Sequence, residues 1–202
     1  MVQPKIPFLF VGNHPCLDFI NTEVVLNGQP TDLLPSWKDV VAWLIEAGLV
    51  TGKEAKESER VRDRHGPETL KEVKAFRSTM RHMAERVADG KPVPQAALDT
   101  INNHLLRHRV GYSQISRQNG RFERKYESKS EDTFQLLGLL AEAASDLLVT
   151  CDLSLVKKCQ NPACVLFFYD TTKNHARHWC SMSLCGNRSK VAAHYHRHRR
   201  KT

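Results

Sequence analysis

The chain has 202 residues, 41% of them apolar, and 30 Lys and Arg against 22 Asp and Glu give a formal charge of +8. This composition predicts a soluble globular chain, and the length suits one ordinary domain plus a small module. No stretch approaches the roughly 18 apolar residues of a membrane span, and the first apolar run is too short and proline-broken for a signal peptide, so a cytoplasmic protein is expected.

Taken in chain order, "IPFLFVG" predicts a short strand ending at Gly12. Asn13 or His14 then opens a turn into "PCLDFINTEV", where Pro15 at a first helical position starts a short helix. "SWKDVVAWLIEAGLV" predicts an amphipathic helix: Ser36 is the N-cap, Val40, Val41, Trp43 and Leu44 recur at helical spacing, and Gly48 ends it. Thr51 caps a charged helix, and a longer one is expected between Pro67 and Gly90 on Leu70, Val73, Phe76, Met80, Met83 and Val87. "PQAALDTINNHLLRH" repeats the helical pattern. "VGYSQISR" and "RFERKYES" flank "QNG" and predict a polar hairpin. Helical spacing returns in "EDTFQLLGLLAEAASDLLV", expected to pack on the earlier helices, and a boundary is expected near residues 151–158.

The charge and the cysteines divide the chain at that boundary. Residues 1–152 hold 20 Lys and Arg against 21 Asp and Glu, whereas residues 153–202 hold 10 against the single Asp170. Cys16 stands alone, and the other five cysteines follow residue 150. In a reducing compartment such clustering points away from disulfides. Cys159-x4-Cys164-x15-Cys180-x4-Cys185 offers two close thiolate pairs, the donor set of a structural zinc site; buried thiols, a pair of disulfides or an iron–sulfur centre are the alternatives. "CQNPAC" predicts a knuckle turned by Pro162, "VLFFYD-TTKN-HARHW" a strand, turn and strand, and the chain from Cys180 a helix capped by Ser181 or Ser183. His175 and His178 are available as replacement ligands. The expected fold is α+β and mainly α. A helical domain over 1–152, with a short N-terminal strand region and a hairpin, precedes a treble-clef-like zinc module of knuckle, β-hairpin and helix over 153–202.

"CQNPACVLFFYDTTKNHARHWCSMSLCGNRSKVAAHYHRHR" closely resembles the CGNR zinc-finger family, called after Cys185-Gly186-Asn187-Arg188, down to Asp170, Asn174 and "WCSM". Val165 stands where a small residue is expected after the second ligand. "LDFINT" and the later "WL…AGL" resemble the ABATE domain that commonly precedes this finger. The resemblance implies a stress-induced transcriptional regulator.

Candidate site residues follow. One zinc ion is expected on Cys159, Cys164, Cys180 and Cys185. Gly186 is expected to let the helix start approach the sulfurs without a side chain between them. Phe167, Trp179 and Tyr195 are the expected small core of the module. Arg188 is either the ion-pair partner of Asp170 or a phosphate contact. Lys190, Arg197, Arg199, Arg200 and Lys201 lack nearby acidic partners and suit a nucleic-acid backbone. His194, His196 and His198 lie on the same tail. In the N-terminal domain, Arg77 and Arg81 lie one turn apart and could line an anion pocket facing Asp18 and Asn21, for a small-molecule effector; two solvated arginines are the alternative. A cluster of His14, Cys16 and Asp18 is read as a helix start rather than a metal site. DNA is the expected partner, homodimerisation is open, and no membrane contact is expected. The functions weighed are a DNA-binding regulator, a protein- or RNA-interaction module on a helical scaffold, and an enzyme. The last is set aside because no nucleophile–base pair or phosphate-binding glycine loop is present.

Overall fold

The computed structural model describes residues 6–107, 112–118, 121–127 and 135–191. Helix α1 (Pro15–Ile20) starts as its sequence requires, with His14 extended as N-cap and Pro15 at a position that needs no N–H. A hairpin follows, β1 (Glu23–Leu26) and β2 (Gln29–Asp32), in register from Glu23 opposite Asp32 to Leu26 opposite Gln29. Asn27 and Gly28 turn it, both at positive φ (51° and 79°), the two-residue geometry whose twist matches antiparallel strands.

Helix α2 (Trp37–Glu46) opens on a cap in which Asp39 Oδ2 accepts from both Ser36 N–H and Ser36 Oγ–H, and it ends before Gly48, whose φ of +71° reverses the chain. Helix α3 (Gly52–Ala88) joins what the sequence divides in two. Pro67 lies inside it, since a proline removes only one hydrogen bond from a ladder that continues on both sides. Helix α4 (Gln95–Arg107), the expected hairpin of β3 (Tyr112–Gln118) with β4 (Arg121–Glu127), and α5 (Gln135–Thr150) follow.

The expected N-terminal strand is not formed. Residues 6–11 carry no strand pairing, although the Gly12 carbonyl accepts from Tyr169 N–H at 2.7 Å. The finger hairpin also differs. β5 (Val156–Lys158) pairs antiparallel with β6 (Phe167–Tyr169), so the strands flank the knuckle instead of following it, and residues 176–180 form no strand. The reason lies in the turn: Cys159 N–H donates to Leu166 O, closing the ladder across the first cysteine pair.

One core runs through the molecule. Leu17, Phe19 and Ile20 of α1 meet Trp43 and Leu44 of α2, Phe76 and Met80 of α3, Leu137 and Ala141 of α5, and Phe167 and Phe168 of β6. Each buried Leu, Ile, Phe or Met among them contributes about 1.5–3 kcal/mol. The finger thus shares its aromatic pair with the helices, and α1 packs on both α5 and β6.

Gly12 is where this packing is tightest. A Cβ there would lie 2.9 Å from Asp18 N, from Asp18 Oδ1 and from Leu17 Cβ, and Gly12 N–H donates to Asp18 Oδ1 at 2.7 Å. Gly12→Ala is expected to cost about 1–3 kcal/mol of stability. Urea denaturation of the zinc-loaded protein checks it, and an unchanged midpoint would show that α1 moves aside freely.

Candidate metal centre

Four sulfurs converge at the end of the β5–β6 hairpin. The ligand atoms of Cys159, Cys164, Cys180 and Cys185 all lie within 4.8 Å of one another, with Cys164 and Cys180 3.8 Å apart and Cys180 and Cys185 3.5 Å apart. Zinc–sulfur bonds of about 2.3 Å at tetrahedral angles place sulfurs roughly 3.8 Å from each other, so the cluster fits that ion.

Local chemistry builds each corner. In the knuckle, Cys164 N–H donates to Asn161 O and Ala163 N–H to Asn161 Oδ1, while Asn161 Nδ2 reaches Cys185 Sγ at 3.3 Å. Cys180 N–H points at Cys159 Sγ, also at 3.3 Å. Such donors orient thiolates and stabilise their charge. The second pair is set by a wide π-type turn (Met182–Gly186), entered through Ser181, whose Oγ accepts from Leu184 N–H. A helix follows from residue 187 and is described to residue 191.

Three of the thiols are displaced from their ordinary values by one another and by burial. A hydrogen bond from Cys180, working against burial, brings Cys164 down to about 5. The same pairing, with burial, drives Cys180 far up, and burial pushes Cys185 up to about 11. Full ionisation of such a cluster requires a divalent ion at its centre. Cys16 is buried away from it with its thiol pushed up to about 12 by desolvation, and Cys151 is not among the converging sulfurs.

Around the cluster the structure departs from several expectations. Asp170 does not pair with Arg188. It is buried against Lys157 Nζ at 2.6 Å and accepts from Thr172 and from Arg177 N–H; against the effect of burial, these donors hold its carboxyl well below the usual range. Arg188 is exposed and has no acidic partner among the described residues. Gly186 lies closer to Met182 and Trp179 than to the sulfurs: a Cβ there would meet Met182 Sδ at 2.6 Å, which the exposed methionine can relieve by moving, and Trp179 Cδ1 at 3.2 Å. Phe167 is fully buried as expected and Trp179 half-buried, with Phe168 as the second aromatic. His175 touches the Asp170 carbonyl, and neither it nor His178 joins the sulfurs.

The sequence gives little hint of Arg177. Its guanidinium lies 4.1 Å from the centre of the Phe168 ring and donates to the carbonyls of Val11, Trp179 and Cys180. One side chain thereby ties the N-terminal segment to the third zinc ligand.

The four residues expected to share an anion pocket are spent on internal bonds. Asp18 accepts from Gly12 N–H, and burial raises its carboxyl to about 6. Asn21 is fully buried and pairs both ways with the Phe167 backbone, Nδ2 donating to O at 2.8 Å and Oδ1 accepting from N–H at 2.9 Å. Arg77 is buried between Thr22 Oγ1, Asp32 and Glu23. Arg81 binds Glu23 and the carbonyls of Ile20 and Val165. Neither arginine is solvated, and neither faces Asp18: the "LDFINT" stretch is a seam between helices and finger. The His14 side chain likewise contacts Asp146 at 3.3 Å and caps α1 through Cys16 N–H, while its carbonyl accepts from Asp18 N–H at 2.9 Å, a helix-start bond.

Arg197, Arg199, Arg200 and Lys201, with Tyr195 and the histidines of the tail, lie outside the described residues. No helix among the described residues is long and apolar enough to cross a membrane.

A four-thiolate zinc finger fused through a buried polar seam to a mainly helical domain is the class of protein these features define. The comparisons agree. Residues 13–150 match the ABATE model, described as "putative stress-induced transcription regulator", and residues 156–198 match the CGNR zinc finger. The chain belongs to the ABATE family and carries one zinc ion in its CGNR finger. No curated protein matches it.

Proposed function

We propose that the chain is a DNA-binding transcriptional regulator whose finger, residues 153–202, contacts the phosphate backbone, with residues 1–152 as the domain that holds and orients it. The observation that carries this reading is the distribution of free charge. The finger's one carboxylate, Asp170, is buried and engaged by Lys157, while Arg188 and Lys190 stand exposed on the helix after Cys185 with no acidic partner among the described residues. Residues 153–202 carry +9 formally; four thiolates and one divalent ion leave +7, which favours a polyanion. This is a binding role, with no catalytic chemistry assigned and a cytoplasmic setting.

The test is salt. Neutralising about 4–6 phosphates gives a log–log slope of roughly −3.6 to −5.4, since each contact contributes about −0.9. Arg188→Ala is expected to reduce the slope by about one contact and to leave thermal stability unchanged, because the exposed side chain has no ion pair among the described residues. Deleting residues 197–202 should flatten it further without changing zinc content. Met182 and Val191 are exposed apolar residues on the same turn and helix, and they favour a protein-interaction module as the second reading. Binding of that kind responds only modestly to salt. Full-length zinc-loaded protein without affinity for duplex DNA at about 50 mM salt, where phosphate contacts are strongest, would overturn the DNA reading.

A further inference from the structure

A cavity of about 420 Å³ opens at the seam between the β1–β2 hairpin, α3 and the finger. Its size falls within the roughly 300–1,000 Å³ of small-molecule sites. Two of its wall residues are neighbours of zinc ligands in the chain: Lys158 precedes Cys159, and Val165 follows Cys164. Val24, Pro30 and Val165 supply apolar wall.

The charges around it sort into two kinds. Glu23 and Asp32 are neutralised by Arg77, Arg81 and Lys74, and Arg81 is further committed to backbone carbonyls. Glu85 and Lys158 also line the cavity, and neither has an ion pair or side-chain hydrogen bond among the described residues. Lys158 Nζ stands 5.9 Å from the centre of the Phe167 ring, and Asp89, which pairs with Lys91, feels it only at longer range. One uncommitted ammonium and one uncommitted carboxylate therefore share an apolar-walled space.

We infer that this cavity is a binding site for a small zwitterion with an apolar body, an amino acid or a dipeptide, whose carboxylate meets Lys158 and whose ammonium meets Glu85. Charge-assisted hydrogen bonds at both ends set orientation, and the apolar body displaces water from Val24, Pro30 and Val165. A ligand held there touches the residues next to both knuckle cysteines, so occupancy is felt at the zinc centre. The site is independent of whether the finger holds DNA.

The experiment is an NMR titration of full-length, zinc-loaded, 15N-labelled protein with L-phenylalanine and with Leu-Leu, alongside phenethylamine and 3-phenylpropionate, which carry one charged end each. Saturable shifts are expected at the amides of Val24, Lys158 and Val165 for a zwitterion, with both single-ended probes at least about tenfold weaker. Lys158→Gln and Glu85→Gln are each expected to weaken the zwitterion by about tenfold at unchanged zinc content and melting temperature. Absence of saturable shifts with either zwitterion up to about 10 mM would overturn the inference, as would equal binding of a single-ended probe or variants that bind as the parent does.

Discussion

Cys185→Ser is expected to release the zinc ion and to loosen α1 together with β5 and β6. Structural zinc contributes on the order of 10 kcal/mol to a small module that cannot close a core alone. Its loss reaches α1 because Phe167 and Phe168 lie in the same core as Leu17, Phe19 and Ile20. A finger that unfolds while all the helices are spared, the outcome expected of two separate modules, does not suit a shared core. Metal analysis and amide exchange over residues 16–21 read the result. A metal-free variant whose α1 amides stay fully protected would show the seam to be dispensable. Acid should act in the same direction. Cys180 and Cys185, both raised above their ordinary values, must give up protons to bind zinc, so affinity falls as pH falls.

Asn21→Ala should produce the largest loss of stability of any substitution outside the metal centre. The side chain satisfies both the N–H and the C=O of Phe167 inside a dry core. Removing it strands two backbone groups at about 1–3 kcal/mol each, hence roughly 2–6 kcal/mol in all. Asn21→Asp separates this account from mere loss of volume: it keeps an acceptor for Phe167 N–H but sets a carboxylate oxygen against the carbonyl. Chemical denaturation of both variants decides it. If the aspartate variant matches the parent, the paired-backbone account fails.

What the sequence reveals here is whatever is local. The zinc ligands follow from cysteine spacing, the helices from apolar periodicity, and the β3–β4 hairpin from a turn between two alternating runs. The β1–β2 hairpin carries an equally local signal, Asn27-Gly28, the two-residue turn that both positive φ values require. The rest depended on distant partners. Asp170 and Arg188 have opposite charges in one module, yet the closer amine of Lys157 takes the carboxylate. Arg77 and Arg81 share a helix face, but hairpin carboxylates and backbone carbonyls, invisible without the fold, consume them. Arg177 has no pattern to mark it, since its partners are three carbonyls, one of them 166 residues away.

The Asn21–Phe167 pairing spans 146 residues of chain, and the Gly12–Tyr169 bond is of similar reach. A ribosome adding about 5–20 residues per second makes Asn21 roughly 7–30 s before its partner exists. During that interval α1 presents Leu17, Phe19 and Ile20 without the strand that completes their burial. Helix α1 is thus synthesised well before the strand that secures it, and nascent chains starved of zinc are expected to be the ones that chaperones and proteases find.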